Sequence, residues 1–92
     1  MDNSKGNINK VNVEIFGENY VVKGEESPEY IEMLAAYIDK RMRLIHQRNP
    51  NFSTAKIAVL TALNLADELN KLQDEYDKLL KRFEEERKNR MG

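Results

Sequence analysis

The sequence predicts an α+β fold, in which a small head made of a β-hairpin and a helix precedes a long C-terminal helix that forms an intermolecular coiled coil. Three observations support this prediction. β-branched residues alternate with polar residues near the N-terminus. Two segments with helical spacing of apolar residues follow, separated by Asn49-Pro50. The second segment has no proline or glycine from Thr54 to Met91, and its apolar residues repeat in heptads.

These patterns divide the chain into three parts. Residues 1–8 are mostly polar and rich in asparagine and lysine, so we expect a disordered lead-in. Residues 9–66 form the head, which holds the hairpin, the first helix and the start of the second helix. Residues 67–92 form the coiled-coil stalk.

The hairpin is predicted from two short strands. Val11, Val13 and Ile15 alternate with polar residues, and Tyr20–Lys23 gives a second strand. We expect Gly17-Glu18-Asn19 to form the turn, because glycine and asparagine tolerate positive φ. Two strands alone are marginally stable in water, so the hairpin must pack on a helix of its own chain or of a partner chain.

The first helix is expected to run from about Pro28 to His46 or Gln47. Ser27 can cap its free N–H groups, and proline suits the first helical position. Pro50 ends the helix because it disfavours the α region for the preceding residue. The apolar residues of this helix are spaced three and four apart on one stripe: Tyr30, Ile31, Leu34, Tyr37, Ile38, Met42 and Ile45.

The second helix begins after Ser53 or Thr54 and continues to about Met91. Such a helix would be about 54 Å long at about 1.5 Å per residue. A domain of this size has a radius of gyration of only about 12 Å. We therefore expect the helix to project beyond its own domain and to need a partner.

One apolar seam follows this helix with alternating steps of four and three, the spacing of a and d positions in a coiled coil. Residues 54–66 carry further apolar side chains beside the seam and are expected in the core of the head, between the first helix and a partner chain. Only one stripe remains beyond residue 67. The seam predicts self-association through eight residues: Ala58, Ala62, Leu65, Leu69, Leu72, Tyr76, Leu79 and Phe83.

The flanking residues leave the pairing direction and the number of chains open. A parallel pair would set Arg82 against Arg87 of the other chain, whereas an antiparallel pair could match Glu68 with Arg82. Leu80 widens the stripe and permits more than two helices. Both a dimer and a tetramer are therefore compatible with the sequence.

Composition limits the function classes. The chain has 15 Lys and Arg against 16 Asp and Glu, so a dedicated nucleic-acid binder is disfavoured. It has no cysteine and a single histidine, His46, so we expect no metal, cofactor or catalytic site and no enzyme activity. No apolar run suits a signal peptide or a membrane span, and the cytoplasm is the expected location.

A local excess of positive charge lies on and near the end of the first helix. This basic patch comprises Lys40, Arg41, Arg43, His46, Arg48 and Lys56. A solvated helix face is the simplest interpretation, and a docking surface for an acidic partner is the second. A small nucleic-acid-binding dimer that uses this patch is the alternative function.

Three blocks resemble the bacterial cell-division protein ZapA family, whose members are Z-ring-associated proteins. They are Val13-Glu14-Ile15-Phe16-Gly17, Tyr20-Val21-Val22 and Ala62-Leu63-Asn64-Leu65-Ala66-Asp67-Glu68-Leu69. The order of hairpin, helix and long helix agrees, and the resemblance covers about residues 11–85. Compared with other family members the C-terminal helix is short, and it resembles that of the shorter members, which are typical of Gram-positive bacteria.

The resemblance implies a function. It implies a cell-division protein that binds FtsZ, the tubulin-like division GTPase, and bundles its protofilaments at the midcell division ring. It also implies dimers with paired heads and tetramers that form through the stalks. Some members are thought to contact FtsZ through basic residues after Phe-Gly, but this chain has Glu18 there, so that contact is not carried over. We expect the FtsZ-binding surface on the head, at Glu18 and at Lys40, Arg41 and Arg43.

Overall fold

The computed structural model describes residues 8–91 and contains two strands and two helices. The strands are β1 (Asn9–Ile15) and β2 (Glu18–Gly24), and the helices are α1 (Pro28–Arg48) and α2 (Thr54–Met91). The predicted order of hairpin, helix and long helix is therefore confirmed. Residues 1–7 of the predicted lead-in lie outside the described residues. The described residues divide into two compact units, of which the first ends at Thr61 and the second begins at Ala62.

The hairpin is antiparallel, with Val13 opposite Tyr20 and Ile15 opposite Glu18. Its turn consists of Phe16 and Gly17, both at positive φ (53° and 83°). Positive φ at both central residues is the mark of a type I′ turn, whose twist matches that of the strands. The predicted turn was thus right at Gly17 and wrong at Glu18 and Asn19, which already pair within β2. Phenylalanine is an uncommon residue at positive φ, so its turn position had no sequence signal.

The core of the first unit lies between β1 and α1. Val11 and Val13 of β1 and Ile31 and Ala35 of α1 are buried together. Ile15 and the β2 residue Val22 pack against this cluster. The alternation in β1 thus places its apolar side chains under α1, and the hairpin packs on a helix of its own chain.

Side-chain caps define the ends of α1. The Ser27 hydroxyl accepts a hydrogen bond from the Tyr30 N–H at 3.2 Å, as predicted for the N-cap. At the other end the Asn49 N–H donates to the carbonyl oxygens of Ile45 and His46, and the Asn49 side-chain amide also donates to Ile45 at 2.9 Å. These bonds satisfy carbonyl groups that the helix end leaves free.

The start of α2 is fixed by Ser53. Its hydroxyl accepts from the Lys56 N–H at 3.2 Å, so Ser53 rather than Thr54 is the cap. One turn later Ile57 is fully buried in the first unit. Thr61 is also buried, and its hydroxyl donates to the Ile57 carbonyl at 2.8 Å, which satisfies its hydrogen-bonding requirement.

The predicted apolar stripe of α1 divides into a buried and an exposed side. Ile31 and Met42 are buried, together with Ala35. Tyr30, Leu34 and Tyr37 keep 42–47% of their surface exposed. The spacing alone did not separate these two sides, because they lie next to each other on the helix circumference.

Candidate functional site

The described residues offer surfaces rather than a cluster of chemically reactive groups. Within residues 8–91 no group of three His, Cys, Asp or Glu side chains is placed to hold a metal ion. In the same part of the chain, neither helix is long and apolar enough to cross a membrane. The candidate sites are an unpaired apolar seam on α2 and a cluster of charged and aromatic side chains at the hairpin turn.

The seam of the second unit is exposed along one side of α2. Leu69, Leu72 and Leu79 are 61–65% exposed, and Tyr76 and Phe83 are 57–58% exposed. Four of these side chains, Leu69, Leu72, Tyr76 and Leu79, line one shallow apolar groove. So large a row of apolar groups is typical of an interaction site rather than of a monomer surface.

The other predicted seam residues differ in their surroundings. Leu65 is half-buried and Ala62 is exposed. Ala58 belongs to the first unit, where it lines an open groove together with Ile15, Val22 and Met42. Val59 and Leu63, for which the sequence predicts burial with the help of a partner chain, are each 61% exposed in the single chain.

The opposite side of α2 is polar and carries ion pairs between side chains of the same helix. Asp67 and Lys71 form an ion pair at 3.0 Å, and Asp74 and Lys78 form one at 3.1 Å. Both pairs are exposed and have the i,i+4 spacing, so each contributes only a few tenths of a kcal/mol to the stability of the helix. Their effect is to keep this side solvated, so the seam is the apolar face of this part of the helix.

A cluster of four side chains, here called the turn cluster, holds the hairpin turn against α1. An Asp39 carboxylate oxygen accepts a hydrogen bond from the Phe16 N–H at 2.7 Å, and the other oxygen accepts from Arg43 Nε at 2.9 Å. The Phe16 ring meets the His46 ring edge to face at 5.4 Å. The Arg43 guanidinium lies 5.9 Å from the centre of the Phe16 ring.

Asp39 is the residue of this cluster that the sequence analysis missed. The hydrogen bond from Arg43, followed by that from the Phe16 N–H, holds the pKa of the Asp39 carboxyl below its ordinary value. The i,i+4 spacing of Asp39 and Arg43 could have predicted their pairing. No local pattern could have predicted the bond to Phe16, which lies 23 residues away.

The four charged residues predicted to bind a partner do not form one continuous face. Glu18 is exposed and directly follows the turn, whose Phe16 N–H donates to Asp39, the ion-pair partner of Arg43. Lys40 is exposed, whereas Arg41 lies with its guanidinium 5.5 Å from the centre of the Tyr37 ring. Because successive helix residues are rotated by about 100°, Arg41 and Arg43 lie about 160° apart around α1. The structure therefore places Arg43 near the turn and Arg41 on another side.

Removal of the Asp39 carboxylate is expected to release the hairpin turn. In Asp39→Ala the Phe16 amide loses its acceptor and should exchange with solvent roughly five- to tenfold faster. Asp39→Asn keeps one acceptor oxygen and loses only the charge, so its effect should be smaller. Because the folded-state pKa of Asp39 is lowered, its contribution to stability is present above the unfolded pKa of about 3.9 and disappears as pH falls through the folded value.

Amide exchange measured by NMR from pH 7 to pH 3 tests this prediction. The amide of Val13, in the middle of β1, is the internal control, because the strand ladder rather than Asp39 protects it. Equal exchange at Phe16 in the wild-type protein and in Asp39→Ala would show that the carboxylate does not hold the turn.

These features define a small α+β protein with a hairpin packed on one helix and a second, heptad-patterned helix that exposes an apolar seam. A model of the family described as cell division protein ZapA matches residues 11–91. The chain belongs to the ZapA family of cell division proteins, and the sequence-based resemblance is confirmed.

Individual relatives agree with this assignment. A cell division protein ZapA from Bacillus mycoides (strain KBAB4) is 44% identical over 79 residues, which cover 86% of this chain and 89% of the relative. One from Geobacillus thermodenitrificans (strain NG80-2) is 42% identical over 78 residues, covering 85% and 86%. The solved structure of a ZapA mutant dimer from Geobacillus stearothermophilus is similar with a TM-score of 0.66 and 36% identity, over 85% of this chain and 91% of that chain.

Proposed function

We propose that this chain is a non-enzymatic protein that binds FtsZ and crosslinks its protofilaments into bundles at the midcell division ring, in the cytoplasm. Membership of a cell-division family supports the process. The observation that carries the crosslinking mechanism is the exposed apolar seam of α2. A protein that joins filaments must present at least two binding sites in one particle, and self-association of a single-site chain provides them.

Self-association is proposed to occur through the seam of eight residues from Ala58 to Phe83. Pairing would remove from water side chains that are now more than half exposed, and apolar burial is the dominant driving force of such association. The similarity to a ZapA protein solved as a dimer supports a homodimer. Leu80, 43% exposed beside the seam, would also let two dimers join as a tetramer.

In this proposal the parts of the chain have separate tasks. The head, residues 9–66, would bind the filament, and the stalk, residues 67–92, would join the heads. The stalk offers its seam to other copies, and its outer side is occupied by ion pairs such as Asp74–Lys78. The head carries the predicted FtsZ-binding residues Glu18, Lys40, Arg41 and Arg43.

No observation favours the alternative of a nucleic-acid-binding dimer. Asp39 pairs with Arg43 and so reduces the positive charge of the basic patch. Arg41 and Arg43 also point to different sides of α1, whereas a basic patch clustered on one face is the electrostatic footprint of a nucleic-acid binder.

Charge reversal on the head is expected to weaken FtsZ binding without changing the oligomer. We expect Lys40→Glu/Arg41→Glu, or Glu18→Lys, to reduce co-sedimentation with FtsZ polymers by roughly tenfold in affinity, because complementary charges guide and orient such contacts. Arg43 is left unchanged in this test, since it also supports the hairpin turn. Molar mass from light scattering should equal that of the unmodified chain.

The matched control for Lys40→Glu/Arg41→Glu is Lys81→Glu/Lys88→Glu, which makes the same change in charge on exposed residues of α2. Glu18→Lys changes the net charge in the opposite direction, so a loss of binding in both head variants cannot come from net charge. If this control weakens co-sedimentation as much as Lys40→Glu/Arg41→Glu, the effect of that head variant comes from net charge. If both head variants bind normally, FtsZ contacts another surface and the assignment of these residues is wrong.

A further inference from the structure

The first residue of the hairpin turn has an unfavourable backbone conformation. Phe16 has φ 53° and is the one residue other than glycine at positive φ among the described residues. Asparagine followed by glycine is the sequence that a type I′ turn favours, and an aromatic side chain is poorly suited to it. The chain therefore keeps local strain at this position, and strain of this kind is concentrated at functional sites.

Three side chains of α1 hold Phe16 in this conformation. Asp39, Arg43 and His46 are spaced four and three apart, so they lie on one face of the helix. The Phe16 N–H donates to Asp39 at 2.7 Å, and the Phe16 ring meets the His46 ring at 5.4 Å. Arg43, the ion-pair partner of Asp39, lies with its guanidinium 5.9 Å from the ring centre. The contacts that offset the strain thus come from α1, through the turn cluster.

The outer side of the turn faces open space. A Cβ atom placed on Gly17 would meet no atom of the described residues within 4 Å, its two chain neighbours apart. Glu18 and Asn19, which follow it, are exposed. The hairpin tip, defined as residues 17–19, contains one charged residue, Glu18. The tip therefore presents one carboxylate to the surroundings, next to a residue whose position α1 fixes.

We propose that the turn cluster positions the hairpin tip for its contact with FtsZ, so that Phe16 and Asp39 are positioning residues and Glu18 meets the filament. A tip that is already ordered loses less conformational freedom on binding than a mobile tip does. The Glu18 carboxylate suits a basic side chain on the filament surface, because charge-assisted hydrogen bonds are the stronger ones. The inference rests on the proposed binding of FtsZ and assigns the turn cluster a role in it.

The hairpin does not need the Phe16 ring in order to form. The apolar side chains of β1 already pack on α1, and the strand pairing continues to Ile15 and Glu18 on either side of the turn. Asparagine in place of Phe16 would make the same turn with less strain. The contacts of the ring with His46 and Arg43 fix the turn relative to α1, which matters to a partner that binds the tip.

Phe16→Asn separates the two roles, because it creates the favoured Asn-Gly turn and removes the ring. The hairpin should form as before, whereas the affinity for FtsZ polymers in co-sedimentation should fall by roughly five- to tenfold, since the tip must now be ordered on binding. Asp39→Ala should weaken binding in the same way. Asp39→Asn keeps an acceptor oxygen for the Phe16 N–H and should bind more tightly than Asp39→Ala.

Phe52→Asn is the matched control and should bind like the unmodified chain. It also removes a ring that lies near a cation, Lys56 Nζ at 5.0 Å, but this ring precedes α2 and is outside the turn cluster. Amide exchange of Val13 checks the hairpin, and light scattering checks the oligomer. The heteronuclear NOE of the Gly17 and Glu18 amides reports fast motion of the tip, which should increase in Phe16→Asn.

The double variant Phe16→Asn/Glu18→Ala tests whether the ring acts through the tip. It should bind about as weakly as Glu18→Ala alone, because the contact that the ring positions is then already lost. Losses that multiply in the double variant would show that Phe16 acts independently of Glu18 and would overturn the proposal. Unchanged binding of Glu18→Ala would overturn it as well.

The unmodified chain separates this inference from the proposed function. If it co-sediments with FtsZ polymers and either Phe16→Asn or Asp39→Ala binds equally well, the inference alone is wrong. If the unmodified chain does not co-sediment, the proposed function is refuted and the inference with it. If the Val13 amide of Phe16→Asn loses its protection, the hairpin of that variant is unfolded, and the comparison of Asp39→Ala with Asp39→Asn decides.

Discussion

Leu72→Glu is expected to dissociate the oligomer at micromolar protein concentration. Leu72 occupies the middle of the seam and is 64% exposed in the single chain, so the substitution should do little to the fold. In a paired seam the new carboxylate would be buried against Leu69 or Tyr76 of another chain. An uncompensated buried charge costs several kcal/mol. Since each 1.4 kcal/mol is a factor of ten, the dissociation constant should rise by at least about 100-fold.

Light scattering across a concentration series measures this effect, and circular dichroism checks that the helices remain. Asn70→Glu is the matched control, because it adds the same charge to an exposed residue two positions away, outside the seam. It should keep the oligomeric mass of the unmodified chain. An oligomer that survives Leu72→Glu at micromolar concentration would refute the assignment of the seam.

The ends of the helices could be predicted because their signals are local. Ser27 followed by Pro28 marks the start of α1, and the Ser27 hydroxyl makes the expected hydrogen bond. The absence of proline and glycine after Thr54 predicts one uninterrupted helix, which the structure contains to Met91. In both cases the chemistry that decides the outcome lies within a few residues in sequence.

The hairpin turn could not be placed because distant residues determine it. Phe16 adopts φ 53°, and the Asp39 carboxylate and the His46 ring from α1 hold it there. Glycine, glutamate and asparagine in a row favoured a turn one to two residues later. The tertiary contacts of Phe16 with α1 therefore outweighed the local turn propensity of the three residues that follow it.

The candidate site was predictable in its pattern and less so in its surroundings. The seam spacing predicts eight residues, and five of them form a row of large apolar side chains that are 57–65% exposed: Leu69, Leu72, Tyr76, Leu79 and Phe83. The exposure of Tyr30 and Tyr37 was not predicted, since apolar spacing reports that a face is buried but not by which chain. A residue at the edge of its own chain's core and a residue that packs on another chain have the same spacing in the sequence.

Removal of the stalk is expected to separate binding from bundling. A chain cut after Asp67 loses Leu69, Leu72, Tyr76, Leu79 and Phe83 but keeps the hairpin, α1 and the buried Ile57. Binding to FtsZ polymers needs one site, so it should persist, weakened by the loss of avidity. Joining two sites raises avidity by roughly 10²–10⁴, and the apparent affinity in co-sedimentation should fall by a factor in that range. Bundling needs two sites and should disappear from light scattering and electron micrographs.

A cut after Arg87 is the matched control, because it shortens α2 but leaves the whole seam in place. This chain should bind and bundle filaments like the full protein. Circular dichroism must first show that the chain cut after Asp67 is folded. If the truncated chain is unfolded, the full-length double variant Leu72→Glu/Leu79→Glu is used in its place. Both residues belong to the seam and are exposed in the single chain, so the substitutions should leave the fold intact. A folded variant that lacks the seam but still bundles filaments as well as the full protein would mean that the stalk is not the crosslinker. In that case the second FtsZ-binding site of the particle would not depend on the stalk.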